Sequence, residues 1–400
     1  MTTVRGELRM FRRLQIVVVM AFVAAVTLVP AANAGIKVYE DGDKFIEIGG
    51  RIQMQYLHLD PGDGEAESTV WFRRLRPYIA GSVTKNWWGK IQFDFGKNLN
   101  QNEVAVKDAY MQYTGWKNMQ LFIGNSKTPF SREFLASSKR QQTVERIFVG
   151  QHNFGNPDRM LGFRLDGNTE NTKIAWKVAL GGQNFDPDIR RMDFDTPVND
   201  EEDWNEGVVY AGRLDFFPWG SFKYDQGDFG REPIKIGFAG AVFGWENDGD
   251  RNSYTEEIEG VTICINEKKC DLDSARGWEL SAGLRGRGFS VDLEYNQIDG
   301  DLVDSRFTGG LYVNGQTVIK KWQLEGGYML PMVPIELVYK RDSFDSDGFD
   351  KVWTGDDFAF NYFFNKHKTK VQLVYRLGRN VAGVDGDDLN TFIMQWQFVF

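Results

Sequence analysis

The chain has 400 residues and a formal net charge of −9, with 56 acidic and 47 basic side chains and three histidines. That acidic balance argues against nucleic acid as a partner. A mean hydropathy of −0.42 excludes a helical membrane protein, but not a β-barrel, whose strands are only half apolar.

Arg5, Arg9, Arg12 and Arg13 precede an apolar stretch at 14–29, and Ala32-Asn33-Ala34 follows with small residues at the spacing a signal peptidase accepts. The pattern predicts a cleaved export signal over 1–34 and a single domain over 35–400. An uncleaved anchor is the alternative, disfavoured by the short apolar run and by Pro30 directly after it. The leader carries four Arg and one Glu, so its loss moves the charge from −9 to −12. Export exposes Cys264 and Cys270 to oxidising conditions, and a small disulfide loop is expected between them, with free thiols as the alternative.

From residue 45 onward apolar and polar side chains alternate in sixteen runs: 45–57, 70–84, 87–95, 104–113, 119–124, 159–166, 173–181, 207–217, 234–244, 277–286, 288–297, 316–330, 334–342, 356–364, 369–377 and 390–400. Strand side chains point to opposite faces in turn, so each run has one greasy and one polar face. Leu161, Phe163 and Leu165 oppose Gly162, Arg164 and Asp166, and Phe289, Val291, Leu293 and Tyr295 oppose Ser290, Asp292, Glu294 and Asn296. In the last run Phe392, Met394, Trp396, Phe398 and Phe400 share a face that ends on the C-terminus. A soluble sandwich would have to hide that face at a terminus that normally frays; lipid needs no such cover. Gaps after even-numbered runs are mostly tight and those after odd-numbered runs long, the rule for short periplasmic turns and long outer loops. Only 218–233 breaks it, and there a decorated turn is expected. The fold class expected is all-β: a closed transmembrane antiparallel β-barrel of sixteen strands in a Gram-negative outer membrane, with both termini on the periplasmic side. Trp71, Trp87, Trp88, Trp219, Trp278 and Trp353 fall near strand ends, where indoles suit a membrane interface, although a loop or core place fits each equally.

Between 70 and 150 the residues become specific. Phe72-Arg73-Arg74-Leu75-Arg76 is followed by Trp88-Gly89-Lys90-Ile91-Gln92-Phe93-Asp94-Phe95 and Asp108-Ala109-Tyr110. Then come Gly124-Asn125-Ser126-Lys127-Thr128-Pro129-Phe130-Ser131-Arg132-Glu133, Ser137-Ser138-Lys139 and Glu145-Arg146. In this order the chain resembles the phosphate-selective porin O/P family. The resemblance implies a sixteen-stranded barrel, a homotrimer, and a third long loop, at about 125–158, folded inward to narrow the pore. The family name covers several solutes, so the substrate does not follow from it.

That third loop is basic, with Lys127, Arg132, Lys139, Arg140 and Arg146 against Glu133 and Glu145, whereas the gap 182–206 carries nine acids and two bases. On the wall Arg74 and Arg76 share the polar face. Positive charge in a narrow bore concentrates anions, and arginine suits tetrahedral oxyanions through paired N–H donors. The candidate pathway is therefore Arg74, Arg76, Lys127, Arg132, Lys139, Arg140 and Arg146. The competing reading pairs these bases with Glu133, Glu145 and wall acids such as Asp94, simply pinning the loop. Asp94, Glu279, Asp292, Glu294 and Glu336 also face inward, so the expected channel is passive with only a mild preference for anions such as phosphate. Alternatives are a general or sugar porin and a non-conducting adhesive barrel. The three histidines are scattered and no nucleophile–base signature is present, so no enzyme is expected. No cofactor or metal is implied: acidic outer runs such as Asp345-Ser346-Asp347 read as solvated turns, with Ca²⁺ held beside lipopolysaccharide as the alternative, and outer-membrane lipid and lipopolysaccharide are the expected surroundings.

Overall fold

Sixteen antiparallel strands close on themselves in the computed structural model, which describes residues 35–62, 64–96, 104–199, 203–249 and 251–400. The expected leader at 1–34 lies outside the described residues. The barrel strands are β1 (Lys44–Asp60), β2 (Glu67–Thr84), β3 (Trp87–Asp94), β4 (Ala105–Trp116), β5 (Met119–Lys127), β6 (Arg159–Asn168), β7 (Ile174–Gly182) and β8 (Gly207–Phe216). The second half comprises β9 (Lys235–Asn247), β10 (Leu272–Gly286), β11 (Phe289–Leu302), β12 (Gln316–Met329), β13 (Ile335–Asp345), β14 (Trp353–Asn365), β15 (Thr369–Arg379) and β16 (Leu389–Val399). Each strand pairs with its neighbours in sequence, and β16 closes the cylinder on β1 in the register Arg51↔Val399, Gln53↔Gln397, Gln55↔Gln395. A closed cylinder leaves no open edge among these strands, the condition for a sheet to cross lipid.

Burial is inverted relative to a soluble protein. On β10 Leu280 is 60 % exposed while its neighbour Glu279 is 1 % exposed, and on β6 Phe163 is 58 % exposed. Lys321, Lys340 and Lys370 are among the largest fully buried side chains. Only hydrocarbon outside and a polar filling inside make this arrangement favourable. At the closing seam the inward face is a run of amides: Gln53 Nε2 donates to Gln397 Oε1 at 2.6 Å, Gln55 to Gln395 at 3.0 Å, and Gln395 to Gln372 at 3.0 Å. The outward face of the same strand is Phe392, Met394, Trp396 and Phe398.

Several features depart from the alternation among the described residues, and three bear on the site and its surroundings. Residues Ile36–Asp41 form an extra strand that pairs antiparallel with the start of β1, through Ile36↔Ile48 and Asp41↔Lys44. On β2 the pairing steps from Gln53↔Arg74 to Met54↔Phe72, so Arg73 is a bulge. On β4 it steps from Gln92↔Asp108 to Phe93↔Val106, bulging Lys107. A bulge adds one residue to one side and re-aims the side chains beside it, which strict alternation cannot anticipate.

Above one half of the barrel the outer loops pack on an apolar cluster that includes Phe185, Met192, Phe194, Trp245, Leu311 and Phe344. Trp353 joins Phe148 and Phe154 there, with ring centroids 4.9 and 5.6 Å away, so this indole packs under loops and is not an interface anchor. In the loop between β9 and β10, strands Thr255–Ile258 and Val261–Cys264 form a hairpin, and Cys264 is disulfide-bonded to Cys270.

Candidate functional site

The loop after β5, residues 128–158 and here called L3, lies inside the bore. Lys127 ends β5 and so belongs to the wall, not to the loop. Ser131 opens a single helical turn, α1 (Arg132–Leu135), by accepting the Phe134 N–H on its Oγ at 3.1 Å. Most of the loop's polar groups are tied to the wall. Lys340 Nζ donates to Glu133 Oε1 at 2.6 Å, Arg132 Nε to Asp292 at 2.7 Å, and Gln142 Nε2 to Glu336 at 2.8 Å. Lys321 donates to the Phe154 carbonyl at 2.6 Å, Asn361 to that of Gln142 at 2.8 Å and Lys370 to that of Gln141 at 2.8 Å. Gly283 and Gly327 face this filling, and a Cβ on either would run into Arg132 or Gln142 respectively. Glycine inside a strand here marks a close approach by the loop.

These ties draw L3 toward the wall from β10 to β15 and leave a cavity of about 950 Å³ on the opposite side, lined by residues of β1 to β6, L3 and the loop after β7. Eleven cationic side chains line it: Arg51, Arg73, Arg74, Arg76, Lys90, Lys107, Lys127, Lys139, Arg146, Arg159 and Arg191. They face five carboxylates: Asp94, Asp108, Asp158, Asp193 and Asp195. Several are paired. Arg76 Nε donates to Asp94 at 2.5 Å, Lys90 Nζ to Asp108 at 2.7 Å, and Arg159 to Asp108 and Asp158 at 3.0 and 3.1 Å. Arg73 and Arg74, both turned inward beside the bulge, hold Glu145 at 2.8 and 2.9 Å.

The seven candidate residues separate into three groups. Arg74, Arg76, Lys127, Lys139 and Arg146 line the cavity. Arg132 and Arg140 do not: Arg132 is 2 % exposed and consumed by Asp292 across the bore, and Arg140 is ion-paired to Asp225 from the turn after β8. Lys127 and Arg146 are in addition structural, because both donate to carbonyls around α1. Lys127 reaches the Phe134 carbonyl, and Arg146 reaches those of Ala136 at 2.7 Å and Glu133 at 3.2 Å. Their charge is satisfied by dipoles and not cancelled by a carboxylate. The pinning alternative thus describes Arg132 and Arg140, applies also to Arg74 and Arg76, which line the cavity but are paired with Glu145 and Asp94, and half-describes Lys127 and Arg146.

Among the described residues, the side-chain cations of Arg51, Lys107 and Lys139 have no ion pair and no hydrogen-bond partner, and Arg51 Nε is buried without an acceptor. Arg51 is absent from the sequence-derived candidates although its signal was readable: Arg51, Gln53 and Gln55 occupy the face opposite Ile52, Met54 and Tyr56. Lys107 was hidden by its bulge. Burial, with Arg51 nearby, lowers the Lys139 ammonium to about 8. Glu145 is held near 2: burial alone would raise it, but Arg73 and Arg74 overcome that. Burial also opposes charge on His152, yet Asp193 raises it to about 9.

A pH dependence follows from Lys139. A lysine whose value is lowered is charged below about 8 and neutral above it, while arginine keeps its charge. Removing a unit charge a few ångströms from a passing ion is worth about 1 kcal/mol even at the dielectric of water, or about fivefold in local anion concentration. Anion preference, read as a zero-current potential, is expected to fall as pH is raised from 7 to 9.5, first through Lys139 near 8 and then through His152 near 9.

Comparison with known proteins places this geometry. Residues 46–216 match the family described as phosphate-selective porin O and P. Over this span the chain is similar to that family. It is 29 % identical over 136 residues to Porin O of Pseudomonas aeruginosa, a match covering 32 % of this chain and 31 % of the relative. The chain spans less than half the length of the curated relatives it matches. Among solved structures, OmpT of Vibrio cholerae, an outer membrane protein, aligns with TM-score 0.57 and 13 % identity over 91 % of this chain and 99 % of that one. The anion-selective porin from Comamonas acidovorans aligns with TM-score 0.55 and 8 % identity over 89 % and 100 %. At such identities these structures speak to the fold alone. The family match and the lipid-facing wall together make this chain a β-barrel of the Gram-negative outer-membrane type.

Proposed function

We propose that the barrel is a passive, water-filled diffusion channel for small hydrophilic solutes, with a mild preference for anions such as phosphate, and that it is not an enzyme. The observation that carries this reading is the excess of cations in the cavity between L3 and the β1–β6 wall, three of them unpartnered among the described residues. An anion entering there exchanges water for guanidinium and ammonium donors in a site whose low-dielectric walls strengthen the field. The five lining carboxylates keep the preference mild, because most of the arginines are already paired. We read Arg74, Arg76, Lys139 and Arg146 as pathway residues together with Arg51 and Lys107, and the assembly as a homotrimer in outer-membrane lipid and lipopolysaccharide. Zero-current potentials across a tenfold KCl gradient test the reading: the sign should report chloride as the more permeant ion. A potassium-selective sign removes the anion preference, and a potential indifferent to charge favours a general porin.

A further inference from the structure

Of the connections on the turn side, that between β8 and β9 alone is long, at 217–234; the others lie at 85–86, 117–118, 169–173, 287–288, 330–334 and 366–368. It is not a decoration outside the barrel, as its sequence position suggested. It enters the bore and runs beneath the tip of L3 toward the far wall. Tyr224 OH donates to Asp215 at 2.7 Å, and the Gly227 N–H donates to Ser290 Oγ on β11 at 2.9 Å. Gln226, 2 % exposed, is the crossing point. Its N–H donates to the Arg140 carbonyl at 3.0 Å, its Oε1 accepts the Gln142 N–H at 2.7 Å, and its Nε2 donates to Glu325 on β12 at 2.9 Å. The segment is a strap that holds the 139–142 tip of L3 from the turn side.

Next to that crossing point, the Asp225 carboxylate pairs with the Arg140 guanidinium. Unlike the fully buried pairs of L3, this one reaches water, with side-chain exposures of 38 % for Arg140 and 29 % for Asp225. Asp225 also acts on the adjacent Lys139, where its negative charge opposes the effects of burial and of Arg51 and Arg140. Resting on the channel reading above, we propose that Asp225 is a specificity-determining residue. In this role the strap carries one negative charge to the tip of L3, cancels Arg140 there, and thereby limits the anion preference of the passage beside Lys139. The arrangement explains why a cation one residue from Lys139 does not line the cavity.

The pair's exposure makes the test clean, since an ion pair open to water contributes little to stability and its removal should leave the barrel folded. Zero-current potentials in a KCl gradient are to be compared for the wild type, Asp225→Asn, Arg140→Gln and the double variant. Asp225→Asn should raise the chloride-to-potassium permeability ratio about twofold, Arg140→Gln should lower it about twofold, and the double variant should return close to the wild type. Single-channel conductance stays within the wild-type range in all four, which a merely structural role would not allow. Equal ratios in the four proteins, or shifts of the same sign in both single variants, overturn the proposal. A wild type that conducts without anion preference defeats that preference alone, because opposite shifts around its own ratio still report the strap's charge. A wild type with no conductance defeats both.

Discussion

Replacing Glu133 by alanine is expected to unpin L3. The Glu133 carboxylate sits between Lys340 Nζ at 2.6 Å and the Gly150 N–H at 3.0 Å, and the Glu133 and Lys340 side chains are 1 % and 0 % exposed. Removing one member of a buried pair strands the other charge, at a cost of about 3–5 kcal/mol. The strand ladders around L3 are untouched, so the loss falls first on the loop as local opening. Single-channel traces of Glu133→Ala should flicker between conductance levels, and the temperature of the electrophoretic heat shift should drop. Glu133→Leu combined with Lys340→Met replaces the pair by apolar groups of similar size and should quieten the traces again. Quiet traces and an unchanged heat shift in Glu133→Ala would mean that the loop is held elsewhere.

The second large effect concerns the unpartnered cations. Lys139→Glu and Arg51→Glu each change the charge beside the passage by two units, worth about 2 kcal/mol for a nearby anion, or roughly thirtyfold in its local concentration. Either variant should abolish the anion preference, and the two together should reverse the sign of the zero-current potential. Arg132→Gln should leave selectivity near the wild-type value, because that side chain lies outside the cavity and Asp292 keeps Arg285 as a partner. A selectivity that follows Arg132 and ignores Arg51 and Lys139 would misplace the passage. The comparison separates cations that face the cavity from those that merely hold L3, a distinction invisible in the loop's composition.

What could be read from the chain, and what could not, divides along physical lines. The sixteen barrel strands were legible because lipid outside and polar filling inside impose a period of two on every one of them, and each of the sixteen alternating runs corresponds to a strand. Inward placement of Arg74, Arg76, Asp94 and Glu336 followed from the same period. Arg73 and Lys107 did not, because a bulge shifts the phase by one residue and leaves no compositional mark. The strand Ile36–Asp41 escaped because it pairs only with β1 and is exposed along its length, so neither face shows a core pattern. The fate of Arg132 and Arg140 depends on partners at Asp292 and Asp225, 160 and 85 residues away in sequence. No local pattern encodes such pairings; they exist only once the barrel has closed. The path of 217–234 into the bore is a further case, since length and composition alone describe an outside turn equally well.

Single-channel recording with exchanged ions bears most directly on the claim that a wet, cation-lined passage crosses this barrel. In potassium chloride the purified protein should insert into planar bilayers in discrete conductance steps. Substituting a bulky organic cation for potassium should leave most of the conductance, and substituting a bulky organic anion for chloride should remove most of it. Steps that instead follow the size of the cation, or a folded protein that inserts without any step, would contradict the account.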